Sequence, residues 1–119
     1  MLRSNYGHEL DTLHTNIIQM GVLIEKAVKD SVNAFTNNDL ELCAEVIKRD
    51  KEINELEKDI ESRCLRLIAK EQPIATDLRT IATALKIVTD MERIADHAVN
   101  ICEWVEFSQT GTHKNTKIF

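Results

Sequence analysis

Residues 78–102 read LRTIATALKIVTDMERIADHAVNIC, and their spacing decides the fold. Leu78, Ile81, Leu85, Val88, Ala95, Val99 and Cys102 recur at steps of three and four, the seam of an α-helix lying nearly parallel or antiparallel to its neighbours. Glu92 occupies the place in that series where another apolar residue is due. A carboxylate at the margin of an apolar seam bears a desolvation cost unless a cation or a hydrogen-bond donor meets it. Arg79, Arg93 or a metal ion are the candidates. Within residues 90–100 the polar side chains form one broad stripe, with Glu92 under Asp96 and Asn100, and Arg93 under His97, each one turn apart. Two such carboxylates can share a hard or borderline cation through oxygen ligands, or they can be neutralised by Arg93 and His97. Spacing alone favours the second reading, because solvated charge stripes are what most amphipathic helices carry.

The same periodicity continues toward the N-terminus. Leu10, Leu13, Ile17, Met20, Ile24 and Ala27 form a first seam, and Leu42, Val46, Ile53, Leu56, Ile60 and Leu67 a second. Asn37, Asn38 and Asp39 separate them and offer a side-chain oxygen to cap the second helix. Gln72-Pro73 ends it, because proline cannot donate inside a helix and its predecessor avoids the α region. Thr76 is the expected N-cap of the third helix, with Asp77 in its first turn. The expectation is an all-α, antiparallel three-helix bundle with helices over about residues 5–36, 39–71 and 75–107. Residues 1–108 would form the bundle, and 109–119, where Gly and Thr replace the period, a linker or tail. Gly21 interrupts nothing in its seam and suggests a close helix contact beside Met20.

Three polar sets lie near these seams. Asp50, Asn54 and Glu57 stack along the shoulder of the second, and can serve either a hydrogen-bond network or a site shared with the third helix. Asp11 and His14 form a D-x-x-H pair, read as an exposed polar pair. Glu92 and Asp96 are the expected ligands of a divalent or ferric ion, with Asp50 and Glu57 as helpers and His97 or water completing the shell. Arg93 argues the other way, since its fixed charge would satisfy either acid and repel a cation. A second apolar line on the third helix, Ala84, Ile87, Met91, Ile94, Ala98, Ile101 and Val105, is wider than one core needs, and self-association through it is expected.

Composition narrows the function. With 43% hydrophobic residues but only five aromatics among 119, the core is left to Leu, Ile, Val and Ala. Three glycines and one proline leave little for tight turns, so long helices are the natural reading. A net charge of −5 without a basic face argues against nucleic acid. Cys43, Cys64 and Cys102 are odd in number and have no metal-like spacing, which fits reduced buried thiols. No apolar run resembles a signal peptide or reaches membrane-spanning length. A cytoplasmic location follows as an expectation, peripheral to a membrane at most.

VIKRDKEINELEKDIESRCLRLI followed by EQPIATDLRTIATALKIVTDMERIADHAVNI resembles the PhoU family of phosphate-uptake regulators, and ELDTLHTNIIQMGVLIEKAV is similar to that family's first helix. QP-x-A-x-DLR, ALKI and D-x-ER-I-x-DHA-x-NI stand here in the family's order, over about residues 2–107. The resemblance implies an all-helical protein, usually of two tandem three-helix units, each with an E(D)-x-x-x-D metal motif that holds iron or zinc clusters in some members. In this chain that motif is Glu92-x-x-x-Asp96, surrounded by Asp90, Arg93, His97 and Asn100. A single copy is read here, ending in what would be the linker to a second. Ala95 stands where the family often has glycine. The implied function is non-enzymatic: joining a phosphate ABC transporter to a phosphate-sensing histidine kinase and repressing the phosphate regulon when phosphate is plentiful.

Two other classes compete with that reading. A metal-free helical adaptor would leave the acidic stripe without an ion. A dimetal carboxylate enzyme needs two E-x-x-H pairs and four helices, whereas this sequence offers only Asp11-x-x-His14 and three helices. There is no P-loop, and neither Ser31 nor any cysteine has an evident histidine partner.

Overall fold

The computed structural model describes residues 2–110, with side chains from 6 to 109. Three helices carry the described chain: α1 (Leu2–Asn37), α2 (Leu40–Glu71) and α3 (Ala75–Thr110). The bundle extends 57 Å along its long axis, close to the roughly 54 Å rise of a 36-residue helix. Each helix therefore runs its full length. The pairs Arg63–Glu9 and Arg49–Asp30 fix α1 and α2 as antiparallel, and α3 returns alongside α1. The helices start and stop where Asn38 and Pro73 predict; α3 continues to Thr110, and residues 111–119 of the expected tail lie outside the described residues.

The two connections are built differently. Asn38 takes the left-handed conformation at φ 53°, and the Asp39 amide donates back to the Ala34 carbonyl at 3.0 Å, the bond that closes a Schellman-type helix end. Asp39 is also the N-cap of α2, its Oδ1 accepting from the Leu42 amide at 3.1 Å. One residue thus closes α1 and opens α2. At the other connection Gln72 is left-handed at φ 46°, Pro73 follows, and the Ile74 carbonyl accepts from the Leu78 amide at 2.9 Å. Thr76 consequently does not cap α3 as expected. It lies one residue inside, where its carbonyl accepts the Thr80 hydroxyl at 3.1 Å. The helix already restarts at Ala75, right after Gln72, Pro73 and Ile74, and Asp77 in the first turn meets the helix dipole instead.

The seams form the core. Leu13, Met20, Ile24 and Ala27 of α1, Val46, Ile53, Ile60 and Leu67 of α2, and Ile81, Val88, Ala95 and Cys102 of α3 are buried. Full burial of side chains such as Ile60 or Ile81 contributes about 1.5–3 kcal/mol each. The two apolar lines of α3 do not divide as their spacing suggested. Ala84, Ala98 and Val105 of the second line are buried, whereas Leu78 of the first and Ile87 and Ile94 of the second are exposed. A helix that touches both α1 and α2 centres its buried stripe between two seven-residue lines, so each line contributes its inner members. Gly21 does meet α3: a Cβ there would lie 3.6 Å from Met91 Cε. That is an ordinary contact, so closeness does not demand glycine.

Candidate functional site

On the side of α3 that faces α2, Glu92, Asp96, Asn100 and Glu103 follow one another at steps of four, four and three. Asp50 and Asn54 oppose them from α2. Together with Val99 these side chains line a cleft of about 330 Å³. The helices place them there because the acids flank the buried seam: Ala95, Ala98 and Cys102 point into the core, and the next positions round the helix open onto the groove.

The cleft concentrates negative charge without compensating it. Burial pushes the Glu92 carboxyl up to about 7 from its usual 4.5; the neighbouring Asp96 adds to this by accepting a hydrogen bond from the protonated form and by its charge, and Glu57 and Asp50 add further repulsion. Asp50 is raised chiefly by burial, then by Asp96 and Glu103, with Asn54 acting in the opposite direction. Asn54 Nδ2 donates to Asp50 Oδ2 at 3.2 Å. Glu57 is raised by burial and then by Glu61, Asp96 and Asp50, partly offset by Lys58. It stands beside the cleft and is not among the residues lining it. Asp50 Oδ1 and Glu103 Oε1 are buried with no hydrogen-bond partner.

Arg93 does not answer this charge. Its Nη1 donates to Asp90 Oδ1 at 3.4 Å on the exposed surface, where Lys86 also pairs with Asp90 at 3.1 Å. Among the described residues, no ion pair involves Asp50, Glu57, Glu92, Asp96 or Glu103. Salt-bridge neutralisation, the reading that spacing favoured, is thus not what holds these acids. One position further along a helix turns a side chain by about 100°, which carries Arg93 and His97 away from Glu92 and Asp96. His97 is exposed and does not line the cleft. The structure therefore brings together Glu92, Asp96, Asn100 and Asp50, sets Glu57 at the edge, and leaves Asp90, Arg93 and His97 outside. Asp11 and His14 are exposed on α1. Glu103 escaped the sequence reading, although it continues the Glu92–Asp96–Asn100 ladder by one more step of three.

The donor set limits the chemistry. Among the described residues, no three His, Cys, Asp or Glu side chains converge as one metal cage requires, which does not fit a closed structural zinc site with its four protein ligands. An open row of carboxylate and amide oxygens does fit a hard cation that keeps several waters. The orphaned Oδ1 of Asp50 is an atom such an ion would satisfy. Among the described residues that line the cleft there is no serine, threonine, cysteine or lysine. Ser31 is buried and donates to the Val28 carbonyl at 2.8 Å. Burial raises all three thiols, Cys64 to about 11, and the Cys43 and Cys102 thiols hydrogen-bond one another.

Comparison with known proteins places the fold and the cleft in context. Residues 17–105 match the family described as PhoU domain. The chain is 41% identical over 107 residues to the phosphate-specific transport system accessory protein PhoU homolog of Clostridium acetobutylicum, covering 89% of this chain and 49% of that protein. It is 45% identical over 95 residues to the Aquifex aeolicus homolog, covering 80% and 43%, and 36% identical over 110 residues to Escherichia coli PhoU, covering 91% and 46%. The crystal structure of PhoU from Pseudomonas aeruginosa superposes with a TM-score of 0.83 at 35% identity, over 92% of this chain and 53% of that one. The chain spans about half the length of the curated relatives it matches.

Proposed function

The chain belongs to the PhoU family, and from that premise we propose that it is a non-enzymatic regulatory unit of phosphate uptake, acting with a phosphate ABC transporter and a phosphate-sensing histidine kinase. The observation that carries this is the match across residues 17–105, which spans both walls of the cleft. Among the described residues no helix is long and apolar enough to cross a membrane, and the proposed site of action is the cytoplasmic face of one. The test is repression of a phosphate-regulon reporter in a bacterium lacking its own PhoU. Expression of this chain is expected to restore repression in high phosphate. A reporter that stays active while the chain is folded and abundant counts against the reading.

In the same reading the cleft holds a divalent or ferric ion on Glu92 and Asp96, supported by Asp50 and Glu57. The ion supplies positive charge to a group of carboxylates that makes no ion pair among the described residues. Titration of chelator-treated, untagged protein with Fe, Zn, Mn and Mg tests it. Binding by wild type and loss in the Glu92→Ala/Asp96→Ala variant are expected, with helicity retained. The alternative, a metal-free adaptor, has one observation in its favour: no three potential ligands converge among the described residues. No binding in either protein would decide for it, and equal binding in both would refute the assignment to Glu92 and Asp96. Self-association also belongs to the proposal. Ile87 and Ile94 are exposed on either side of Met91, which reaches Gly21 of α1, and Val32 and Phe35 of α1 are exposed too. Light scattering that gives a strict monomer at high concentration would remove it.

A further inference from the structure

Glu103 is only 8% exposed, and its Oε1 is buried without a donor. It lines the end of the cleft nearest the C-terminus of α3. The Glu92–Asp96 pair does not reach it, because Asp96 lies seven residues back on the same helix, about 10.5 Å along the axis. A carboxylate oxygen buried without a donor is costly, and a leucine at this position would avoid the cost. The surroundings add to the negative charge. The last turn of α3 carries no basic residue, although the helix dipole puts its negative end there. Asp39 and Glu106 both bear on the Cys43 thiol, so the start of α2 brings further acid alongside the end of α3. Among the described residues no ion pair involves Glu103.

The sequence supplies the opposite charge directly afterwards. Residues 111–119, which lie outside the described residues, read GTHKNTKIF, with two lysines, one histidine and no acid. They follow Thr110, the last residue of α3. The way back from Thr110 to Glu103 is about 10.5 Å along the helix. Four residues from Thr110 to Lys114 span up to about 14 Å when extended, before the lysine side chain is added. Gly111 is the residue type that most readily turns a chain at a helix end.

We propose that residues 111–114 fold back along the end of α3 and seat the Lys114 ammonium on the Glu103 carboxylate, so that the chain itself covers this end of the cleft. The ammonium brings three donors to a carboxylate that has an oxygen without one, and the bonds are charge-assisted. A short tether holds the ammonium at an effective concentration of about a millimolar or more. Lys117 adds to the attraction at longer range. The proposal rests on the cleft and on the residues after α3; it needs neither the phosphate-regulation reading nor an ion on Glu92 and Asp96.

The test is paramagnetic NMR on the full, untagged chain in EDTA and low salt, with a nitroxide on Thr116→Cys. Cys43, Cys64 and Cys102 are fully buried, so the label enters native protein at position 116. The side-chain amide signals of Asn54 and Asn100, both in the cleft lining, should be broadened by the label. That broadening should be lost in Lys114→Gln, which alters no residue of the bundle, and in Glu103→Gln, with helicity checked by circular dichroism. Lys114→Arg should restore it. Broadening that persists in either glutamine variant overturns the proposal, as does its absence in the Thr116→Cys parent. Isotope-labelled protein without nitroxide, mixed with unlabelled protein carrying it, should show none. Broadening in that mixture assigns the contact to a second copy and overturns the fold-back.

Discussion

Replacing Glu92 by glutamine is expected to make the metal-free protein more stable at neutral and alkaline pH. The folded carboxyl titrates at about 7 and the unfolded one at 4.5, so between those values the folded state holds the proton that the unfolded state has released. Stability then falls as pH rises through this window, and the deficit is complete above pH 7. A difference of 2.5 units corresponds to about 3.4 kcal/mol. Because Glu92 is only partly buried, solvent screening reduces this to about 1–2 kcal/mol. Glutamine keeps the shape and removes the charge. Urea denaturation in EDTA should therefore place Glu92→Gln above wild type by about 1–2 kcal/mol at pH 8, with most of the difference gone at pH 5. Adding a cation that the cleft binds should reverse the order, since ligand at a hundred times its Kd stabilises wild type by about 2.7 kcal/mol and the variant by less. A variant no more stable than wild type at pH 8, or an advantage that grows as pH falls, would refute the account of mutually repelling acids around a part-buried Glu92.

Three further outcomes follow from the packing. Gly21→Ala should stabilise the bundle by about 0.5–1 kcal/mol in thermal or urea denaturation, because the new methyl meets Met91 Cε at an ordinary 3.6 Å. Arg49→Ala should cost about 1 kcal/mol at pH 7, since Arg49 Nη2 lies 2.7 Å from Asp30 Oδ2. The Arg49 guanidinium also holds the Asp30 carboxyl below its usual 3.8, so this contribution is present at neutral pH and fades as pH drops through Asp30's lowered value; the difference between the two proteins should shrink in acid. Cys43, Cys64 and Cys102 are fully buried with raised pKa values. Native protein should react with a thiol reagent only as fast as it opens, and promptly in denaturant.

The three helices were legible because periodicity reports which side of a helix meets another, and Asn38 and Pro73 interrupt it at both turns. Glu92 was legible for the same reason, as a carboxylate where the period demands an apolar side chain. Three things were not. The partner of Arg93 depends on which way a long side chain swings from the helix, and sequence spacing offers it Asp90 and Asp96 alike. Glu103 looks in sequence like any surface glutamate near the end of an amphipathic helix; only the approach of α2 buries it. The division of α3's apolar residues between core and surface, with Ala84 and Ala98 inside and Ile87 and Ile94 outside, depends on the angle at which α3 lies between two neighbours.

Asp39 closes α1 with its amide and opens α2 with its carboxylate, and this makes the first connection intolerant of length. An extra residue between Asn38 and Asp39 would separate the two functions, losing either the bond to Ala34 or the cap on Leu42, and would rotate one helix against the other. The second connection carries no such double duty, because Gln72, Pro73 and Ile74 stop and restart the helix through backbone conformation. Inserting one glycine after Asn38 should lower the melting temperature more than the same insertion after Pro73. Chains that vary in length within this fold are therefore expected to do so at the second turn and to keep the first fixed.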